Sequence, residues 1–408
     1  MRKDNKKPIT KRAIVGVSVP VFIMGLVSFF TDISSETIQS ILPLFIFEVG
    51  GTGIILGLIS GVSDAIANVL KGITGWLSDR INRRKPFVVF GYSLSNISKP
   101  FIGFSPSWQF ILGLKVTDRV GKGLRTSSRD TLISYYAIKK GKAFGIHRAM
   151  DTLGAVIGSL TAVILLLFNW SFSNIIFFTI FPGIVAIILI LFIKDISPQE
   201  VADQPKTKKQ EYNFSGVNKN FIKLIILLGV IEFASLDISF LIIRAADFIP
   251  INLIFILPLL YSILNVVYAI FSPITGSLSD KIGRKPVILI GLALLLISCI
   301  ILIFPIAISL FSLILITLIY ILYGFYMASV DPISRAYIAD LVGKDKRGKG
   351  YGYYYFSVGF ISMVESIIFG LIYDIFSAYW AFLYISILLF LSMIIFAYTD
   401  FSKIVKTA

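Results

Sequence analysis

The sequence contains one cysteine, one histidine and few charged residues. A single cysteine, Cys299, cannot form a disulfide within the chain, which excludes a disulfide-rich secreted scaffold. One cysteine and one histidine are also too few ligands for a structural zinc site, and we expect no metal. Charged residues make up 15% of the 408 residues and apolar residues 56%, whereas soluble domains hold about 25% and about 45–50%. Most of the chain is therefore expected to lie in lipid.

Apolar runs of the roughly 20 residues that a helix needs to cross a bilayer recur along the chain. They predict twelve transmembrane helices, at residues 14–47, 53–78, 86–104, 108–136, 144–168, 173–193, 221–247, 252–278, 286–304, 308–339, 350–373 and 378–398. Helices are predicted rather than a barrel, because the runs lack the period-two alternation of membrane strands. The first, fourth and tenth runs exceed a perpendicular span and are expected to tilt or to extend beyond the membrane. No cleaved signal peptide is expected.

Lysine and arginine are concentrated on one side of this twelve-span arrangement. The two termini and the loops on that side hold 29 of the 38 basic residues, and the loops on the other side hold none. The positive-inside rule then places both termini in the cytoplasm, as parts of a multi-pass protein of the cell membrane. This asymmetry accounts for the net charge of +15, so we expect no nucleic-acid partner.

The chain divides into two halves that repeat each other. Residues 194–220 form a long polar stretch with the composition of a solvated linker, between six predicted spans in residues 1–193 and six in residues 221–408. The segment Gly75-Trp-Leu-Ser-Asp-Arg-Ile-Asn-Arg-Arg-Lys-Pro86 returns as Gly276-Ser-Leu-Ser-Asp-Lys-Ile-Gly-Arg-Lys-Pro286. Two homologous six-helix bundles indicate a substrate path between them.

The repeated segment resembles the Gly-x-Leu-x-Asp-Arg/Lys-x-Gly-Arg-Lys signature of the major facilitator superfamily, and the resemblance covers essentially the whole chain. The first copy has Asn82 where the family usually has glycine, and the second copy has Gly283. The fourth span, with Asp118-Arg-Val-Gly-Lys-Gly-Leu-Arg125 followed by Arg129-Asp130, is similar to that of a prokaryotic subfamily whose members are mostly functionally unassigned. The resemblance implies an all-α integral membrane fold of two pseudo-symmetric six-helix bundles.

Charged residues inside the spans are the candidates for function. Each needs a partner or a water-filled cavity, because burying a charge at a helix centre costs at least about 2.5–3.5 kcal/mol. At 100° per residue these charges fall on stripes of their helices, and Asp237 and Arg244, for example, are predicted to share a stripe of span 7. The predicted substrate and proton pathway comprises Asp32, Glu36, Asp64, Arg119, Lys122, Arg125, Asp237, Arg244 and Glu365.

The fourth span carries an excess of positive charge on one stripe, which runs from Lys115 to Arg129 with four bases and one acid. Either Asp32 and Glu36 of span 1 neutralise this excess, or an anionic group of a substrate does. The alternative is that the charges pair only to orient the helices. The contact between spans 1 and 4 is implied by the family resemblance. We expect one of the two span 1 acids to carry a coupling proton. Asp64 is the reserve candidate, because Lys71 on the same helix is its candidate partner and would hold it ionised.

A second group of charges lies in the repeated loops. Asp79 ends span 2 and Arg83 begins span 3, and the same pair recurs as Asp280 and Arg284. In one interpretation the bases only mark topology. In the other, Asp130 at the inner end of span 4 completes an ion-pair cluster that forms in one state and opens in another. The repetition of the acid favours this gating cluster, because orientation needs no acid.

Together these features predict a secondary active transporter that moves a small solute by alternating access, coupled to protons. Its expected partners are the solute, protons and the lipid bilayer, and we expect a monomer with no cofactor and no enzyme activity. The alternatives are an exporter of drugs or toxic compounds with the same fold and a membrane sensor that no longer transports. The short loops disfavour a sensor, which needs an output domain. Gly154-Ala-Val-Ile-Gly158 lacks the proline of the antiporter pattern that it resembles, which disfavours drug/proton exchange.

Overall fold

The computed structural model describes residues 13–81, 83–137, 139–195, 219–305, 307–341 and 347–399. These segments are helical apart from loops and one short hairpin, in which Ala13–Ile14 (β1) pairs antiparallel with Val17–Ser18 (β2). Most of the predicted linker lies outside the described residues.

The described part of each half is a series of α-helices. In the first half they are α1 Val19–Gln39, α2 Leu42–Glu48, α3 Gly53–Ile81, α4 Lys85–Phe101, α5 Trp108–Tyr136, α6 Lys140–Leu167, α7 Phe172–Phe178 and α8 Ile180–Leu191. In the second half they are α9 Lys219–Phe233, α10 Ile238–Ala246, α11 Ile256–Ile282, α12 Arg284–Ile303, α13 Leu310–Leu341, α14 Arg347–Ile375 and α15 Ala378–Tyr398.

Ten helical segments among the described residues are long and apolar enough to cross a membrane. The other two predicted spans are helices as well, but α4 has only 17 residues and α5 carries seven charged residues among its 29. Large apolar side chains such as Phe168, Phe181 and Phe390 are more than half exposed, which is the expected surface against lipid. The chain is an all-α membrane protein, as predicted.

Three predicted spans are not continuous helices. In span 1, α2 begins anew at Leu42 with Pro43 in its first turn, where a proline loses no helical hydrogen bond. In span 6, α7 and α8 are separated at Thr179. In span 7, α10 begins after Asp237, whose carboxylate caps the helix by accepting a hydrogen bond from the Ser239 amide at 2.7 Å. Broken helices near a bundle interface are typical of solute sites in membrane proteins.

Two long helix pairs join the halves, and α10 adds shorter contacts with α2 and α3. Helix α3 packs along α14, and α6 packs along α11. Under the sequence repeat, α3 corresponds to α11 and α6 corresponds to α14, so the two contacts are equivalents of each other in two pseudo-symmetric bundles. The space between these contacts, on the inner faces of both bundles, is where a solute path would lie.

The two ends of the molecule differ in charge and in how the halves meet. The end that carries the loops between α3 and α4 and between α11 and α12 is called the basic end. The other end of the molecule is called the opposite end. Among the described residues, the hydrogen bonds between the halves lie from the opposite end to the middle of the molecule. The halves are therefore in contact at the opposite end and in the middle of the molecule.

Cysteine labelling tests whether the basic end faces the cytoplasm, as the positive-inside rule predicts. In a Cys299→Ala background, cysteines replacing Pro106 or Pro250 are expected to react with a membrane-impermeant maleimide in intact cells. A cysteine replacing Pro205, in the predicted linker, is expected to react only after permeabilisation. Reaction of the Pro205→Cys variant in intact cells would contradict the orientation.

Candidate functional site

Helix α5 supplies most of the charge at the centre of the first half. Lys115, Asp118 and Arg125 are buried, because positions three, seven and ten apart share the inner face of a helix. Ser95 donates to Asp118 Oδ1 at 2.5 Å, and Lys115 Nζ donates to Gln39 Oε1 of α1 at 3.1 Å. The contact between spans 1 and 4 that the family resemblance implied is thus present.

Arg119 lies between α5 and α3. Its Nε atom is 3.5 Å from Asp64 Oδ1, and the Asp64 side chain is 49% exposed although it lies in the middle of α3, which places solvent beside it. Lys71, considered from the sequence as the partner of Asp64, instead donates to Asn68 Oδ1 at 2.8 Å and lies 5.0 Å from the centre of the Tyr355 ring. Asp64 is therefore paired across helices, not along its own helix.

The two acids of α1 have partners outside α5. Tyr261 of α11 donates its hydroxyl hydrogen to Glu36 Oε2 at 2.6 Å, which links the two halves. The carboxyl group of Asp32 lies beside that of Asp151 of α6, where the two could share a hydrogen bond, and Lys122 lies within electrostatic range of Asp32. Such a bond requires one shared proton, because a carboxylate can only accept. No ion pair joins either α1 acid to an α5 base in the part of the chain that the structure describes.

A polar network fills the first half toward the basic end. The guanidinium of Arg125 stacks 4.3 Å from the centre of the Tyr92 ring. The Tyr92 hydroxyl is 3.1 Å from Ser28 Oγ, which is 2.9 Å from His147 Nε2. His147 is buried in this network, so its contacts within the described chain account for its position.

Three acids of the second half lie inside predicted spans. Asp237 stands at the break between α9 and α10, and Glu232 precedes it on α9. Glu365 of α14 is 2% exposed, and its Oε2 accepts a hydrogen bond from Ser366 at 3.2 Å. Among the described residues, no ion pair joins any of these three carboxyl groups to a base.

Asp237 and Arg244, predicted to share a stripe of span 7, do not form an ion pair with each other in the described part of the chain. Arg244 lies on α10, beyond the helix break, and binds Asp247 at 2.9 Å and the Leu302 carbonyl oxygen at 3.0 and 3.1 Å. Asp237 caps the start of α10, so both residues lie on the same side of the break in span 7. Arg244 ties α10 to the end of α12 and lies outside the charged cluster.

In the second half, the predicted gating pair forms with a third member. Arg284 binds Asp280 at 2.5 Å and Asp340 Oδ2 at 3.0 Å, which ties the ends of α11 and α13 to the start of α12. In the first half, Arg83 is exposed and Asp130 binds its neighbour Arg129 at 2.9 Å. The side chain of Asp79 lies outside the described residues.

Small residues close the halves at the opposite end. Gly53, Gly57 and Gly61 of α3 meet the backbone of α14 at Gly370, Ser366 and Met363, respectively. A Cβ atom on Gly57 would overlap the carbonyl oxygen of Ser366. Asp374 of α14 accepts hydrogen bonds from the amides of Gly53 and Ile54, each at 2.7 Å, so one half caps a helix of the other.

Several of these residues were not identified from the sequence. Lys99 of α4 is 2% exposed and donates to Ser35 Oγ at 2.8 Å and to Asn96 Oδ1 at 3.1 Å. Its place inside the predicted span 86–104 was a signal available in the sequence. No such local signal in the sequence marks Asp151, Asp340 or Asp374, because the role of each depends on a partner from another helix.

A cavity between α1, α3, α5 and α10 brings the two halves of the site together. It is lined by Asp64, Lys115 and Arg119 from the first half and by Asp237 and Ser239 from the second. Ser239 Oγ is 3.1 Å from Ser60 Oγ, which closes one edge of the cavity. The geometry can bind a charged group on either wall.

Comparison with known proteins identifies the family. The family model described as Major Facilitator Superfamily matches residues 24–264 and 254–403. The chain belongs to the major facilitator superfamily. Among its relatives is an uncharacterized MFS-type transporter of Methanocaldococcus jannaschii, 37% identical over 386 residues that cover 92% of this chain and 94% of the relative. An uncharacterized protein of Mycobacterium bovis is 25% identical over 375 residues, 87% of each chain.

Solved structures share the fold of this major facilitator protein. The crystal structure of the nucleoside transporter NupG is similar with a TM-score of 0.75 at 15% identity, covering 93% of this chain and 100% of that one. A POT family transporter in complex with 5-aminolevulinic acid has a TM-score of 0.78 at 13% identity, covering 98% and 99%. At these identities the likeness shows the fold alone. By family, the protein is a multi-pass membrane transporter whose partner is a small-molecule solute.

Proposed function

We propose that the protein is a secondary active transporter that carries a small polar solute by alternating access and couples it to protons. The observation that supports this proposal is how the halves meet: they are in contact at the opposite end and in the middle of the molecule, with ionisable side chains between them. A site between two bundles that rock against each other opens to one side of the membrane at a time.

The contacts at the opposite end are of a kind that can open and close. Glycines at positions 53, 57 and 61 let the backbones of α3 and α14 approach without interlocking side chains. The cap from Asp374 to the start of α3 can be exchanged for water when the end opens, because the amides it binds are at a helix terminus.

The charged walls favour a polar solute over a broad range of drugs. A cavity for drug export is expected to be mostly aromatic and apolar. Here Lys115, Arg119 and Asp64 line one wall and Asp237 lines the other. Charges of this kind are costly inside a membrane protein and are retained where a substrate or ion uses them.

The pair of Asp32 and Asp151 supports coupling to protons. Asp151 Oδ2 also accepts a hydrogen bond from Arg148 at 3.1 Å, and Arg148 donates to the hydroxyl of Tyr268, in the second half, at 3.3 Å. Loss of the shared proton adds a negative charge beside Arg148, which strengthens its attraction to Asp151 and weakens its bond to Tyr268. The proton then acts on a contact between the halves.

Solute-evoked proton movement tests the proposal. The purified protein is placed in liposomes that contain a pH-sensitive dye, and metabolites and drugs are added outside one by one. A polar solute is expected to change the internal pH only in liposomes that contain the protein, and an imposed pH gradient is expected to drive its accumulation. Accumulation without proton movement would contradict the coupling but not the transport. Failure of every solute to move would contradict both.

A further inference from the structure

Lys99 of α4 is the most deeply buried base among the described residues, at 2% exposed. It forms no ion pair in the described part of the chain, where the other buried or half-buried bases of the first half include Arg119 and Arg129 with acids within 4.0 Å. A lysine buried in a membrane protein without an ion pair needs another source of compensation, because an unpaired charge there is costly.

Three oxygen atoms surround the Lys99 side-chain nitrogen. Its Nζ atom donates hydrogen bonds to Ser35 Oγ at 2.8 Å, to Asn96 Oδ1 at 3.1 Å and to the Thr31 carbonyl oxygen at 3.3 Å. A charged lysine has three hydrogens to donate and no lone pair with which to accept, so three oxygens match the ammonium form. Lys99 also lies in the last turn of α4, where the helix dipole favours a positive charge. The site therefore fits a cation.

The ammonium group fixes one turn of α1. Thr31 and Ser35 are one turn apart, and Asn96 donates a further hydrogen bond from Nδ2 to Thr31 Oγ1 at 3.2 Å. Asp32 and Glu36 directly follow the two α1 residues that α4 binds. Because neighbouring positions on a helix are 100° apart, holding the two bound residues against α4 turns the two acids toward other helices. These are α6, which places an acid beside Asp32, and α11, which binds Glu36.

The charges around Lys99 come from α5 and α1. Those that act on it are Asp118, Arg125 and Lys115 of α5 and Asp32 of α1. Helices α7 and α8, which also pack on α4, contain no charged residue. The other charged groups that act on Asp32 are Asp151, Glu36 and Lys122. Asp32 thus has two acids beside it, and Lys99 adds a positive charge from the side of α4.

Resting on the proton-coupled transport proposed above, we propose that Lys99 is a positioning residue for Asp32. It holds the turn of α1 that carries this acid, and it supplies a fixed positive charge that lets Asp32 release a proton although it lies beside Asp151. Lys99 does not line the cavity between the halves, so its effect on transport passes through α1.

Infrared difference spectroscopy tests this role on the purified protein without a solute. The carbonyl band of a protonated carboxyl group disappears as the group ionises, and the part of the band that is lost in Asp32→Asn reports Asp32 and any proton that it shares. Lys99→Met keeps the length of the side chain and removes its charge. In this variant that part of the band is expected to disappear at a pH about 0.5 unit or more higher, because a carboxyl group that loses a positive neighbour holds its proton more tightly. Lys85→Met, on the same helix at the basic end, is the matched control and is expected to give no shift.

A charge-balanced variant keeps the test valid if Lys99→Met alone does not fold. Removing one member of a group of buried charges is destabilising, because the opposite charge is left uncompensated. Lys99→Met combined with Asp118→Asn removes one charge of each sign, and asparagine can still accept the hydrogen bond from Ser95. The band is expected to shift to higher pH relative to Asp118→Asn alone.

Solute exchange in liposomes links the band to transport. The pH profile of exchange in Lys99→Met is expected to move to higher pH by a similar amount, and the shift is expected to be absent in an Asp32→Asn background. An unshifted band in both Lys99→Met and the charge-balanced variant would overturn the inference. So would a shift of the exchange profile that persists in Asp32→Asn, because the charge would then act on another acid. A shifted band in a protein that moves no solute would keep this role of Lys99 and remove the proposed transport.

Discussion

Replacing Gly57 with leucine is expected to lower solute transport by about ten- to hundredfold. The new side chain would overlap the Ser366 carbonyl oxygen, so α3 and α14 could not close at the opposite end. Overpacking of this kind typically costs about 1–3 kcal/mol, which corresponds to that change in the population of the closed state. The measurement is initial solute uptake into liposomes, together with labelling of a Ser63→Cys variant by an impermeant thiol reagent.

Labelling distinguishes a blocked closure from misfolding. Ser63 is 1% exposed and lines the cavity, so a cysteine there is expected to react faster from the opposite end when Gly57→Leu holds that end open. Gly72→Leu is the control on the same helix, because Gly72 is exposed and has no atom within 4 Å of a new Cβ. Asp374→Asn, which removes the charge of the cap without adding bulk, is expected to act in the same direction by a smaller factor. Equal transport by Gly57→Leu and Gly72→Leu would show that this contact does not open and close.

Replacing Asp32 or Asp151 with asparagine is expected to abolish solute accumulation driven by a pH gradient, while exchange of solute for solute survives. Asparagine keeps a hydrogen-bonding side chain of similar size but cannot gain or lose the shared proton. The measurements are gradient-driven uptake and counterflow of the same solute in liposomes, each over a range of pH. Exchange in the variants is expected to vary less with pH than in the wild type.

Two other acids serve as comparisons for the pair. Glu36→Gln is expected to slow transport and to retain coupling, because Glu36 binds Tyr261 of the other half and does not share a proton with another acid in the described chain. Glu48→Gln, outside the cavity, is expected to have no effect. Undiminished accumulation in Asp32→Asn, Asp151→Asn and the double variant would remove the pair from the mechanism. Loss of coupling in Glu36→Gln alone would assign the proton to Glu36.

Helix positions were predictable from the sequence because the membrane imposes a local rule. An apolar run of sufficient length must satisfy its own backbone hydrogen bonds and becomes a helix. The residues on the inner face of α5 were predictable for a similar reason, since the spacing of Lys115, Asp118 and Arg125 matches the helical repeat. The family also followed, because its signature is a short continuous segment present in both halves.

Pairings between helices were not predictable in this way. Spacing along one helix suggested Lys71 for Asp64 and Arg244 for Asp237, but Asp64 is paired with Arg119 and Arg244 with Asp247. In the second case, Asp237 accepts a hydrogen bond from the Ser239 amide at the start of α10 instead of binding Arg244. Two charges on one helix are neighbours by geometry, but Asp64 has its partner on an adjacent helix and Arg244 has one nearer along the chain.

The sequence by itself determined the approximate position of the helical spans, their division into two repeated halves and the location of the basic loops. Only the tertiary structure decided which charges meet. Asp374 caps the start of α3 from 321 residues away, and Asp32 meets Asp151 through the packing of α1 on α6. The reason is physical: a helix forms from hydrogen bonds within a few residues, whereas a contact between helices depends on how all of their faces pack at once.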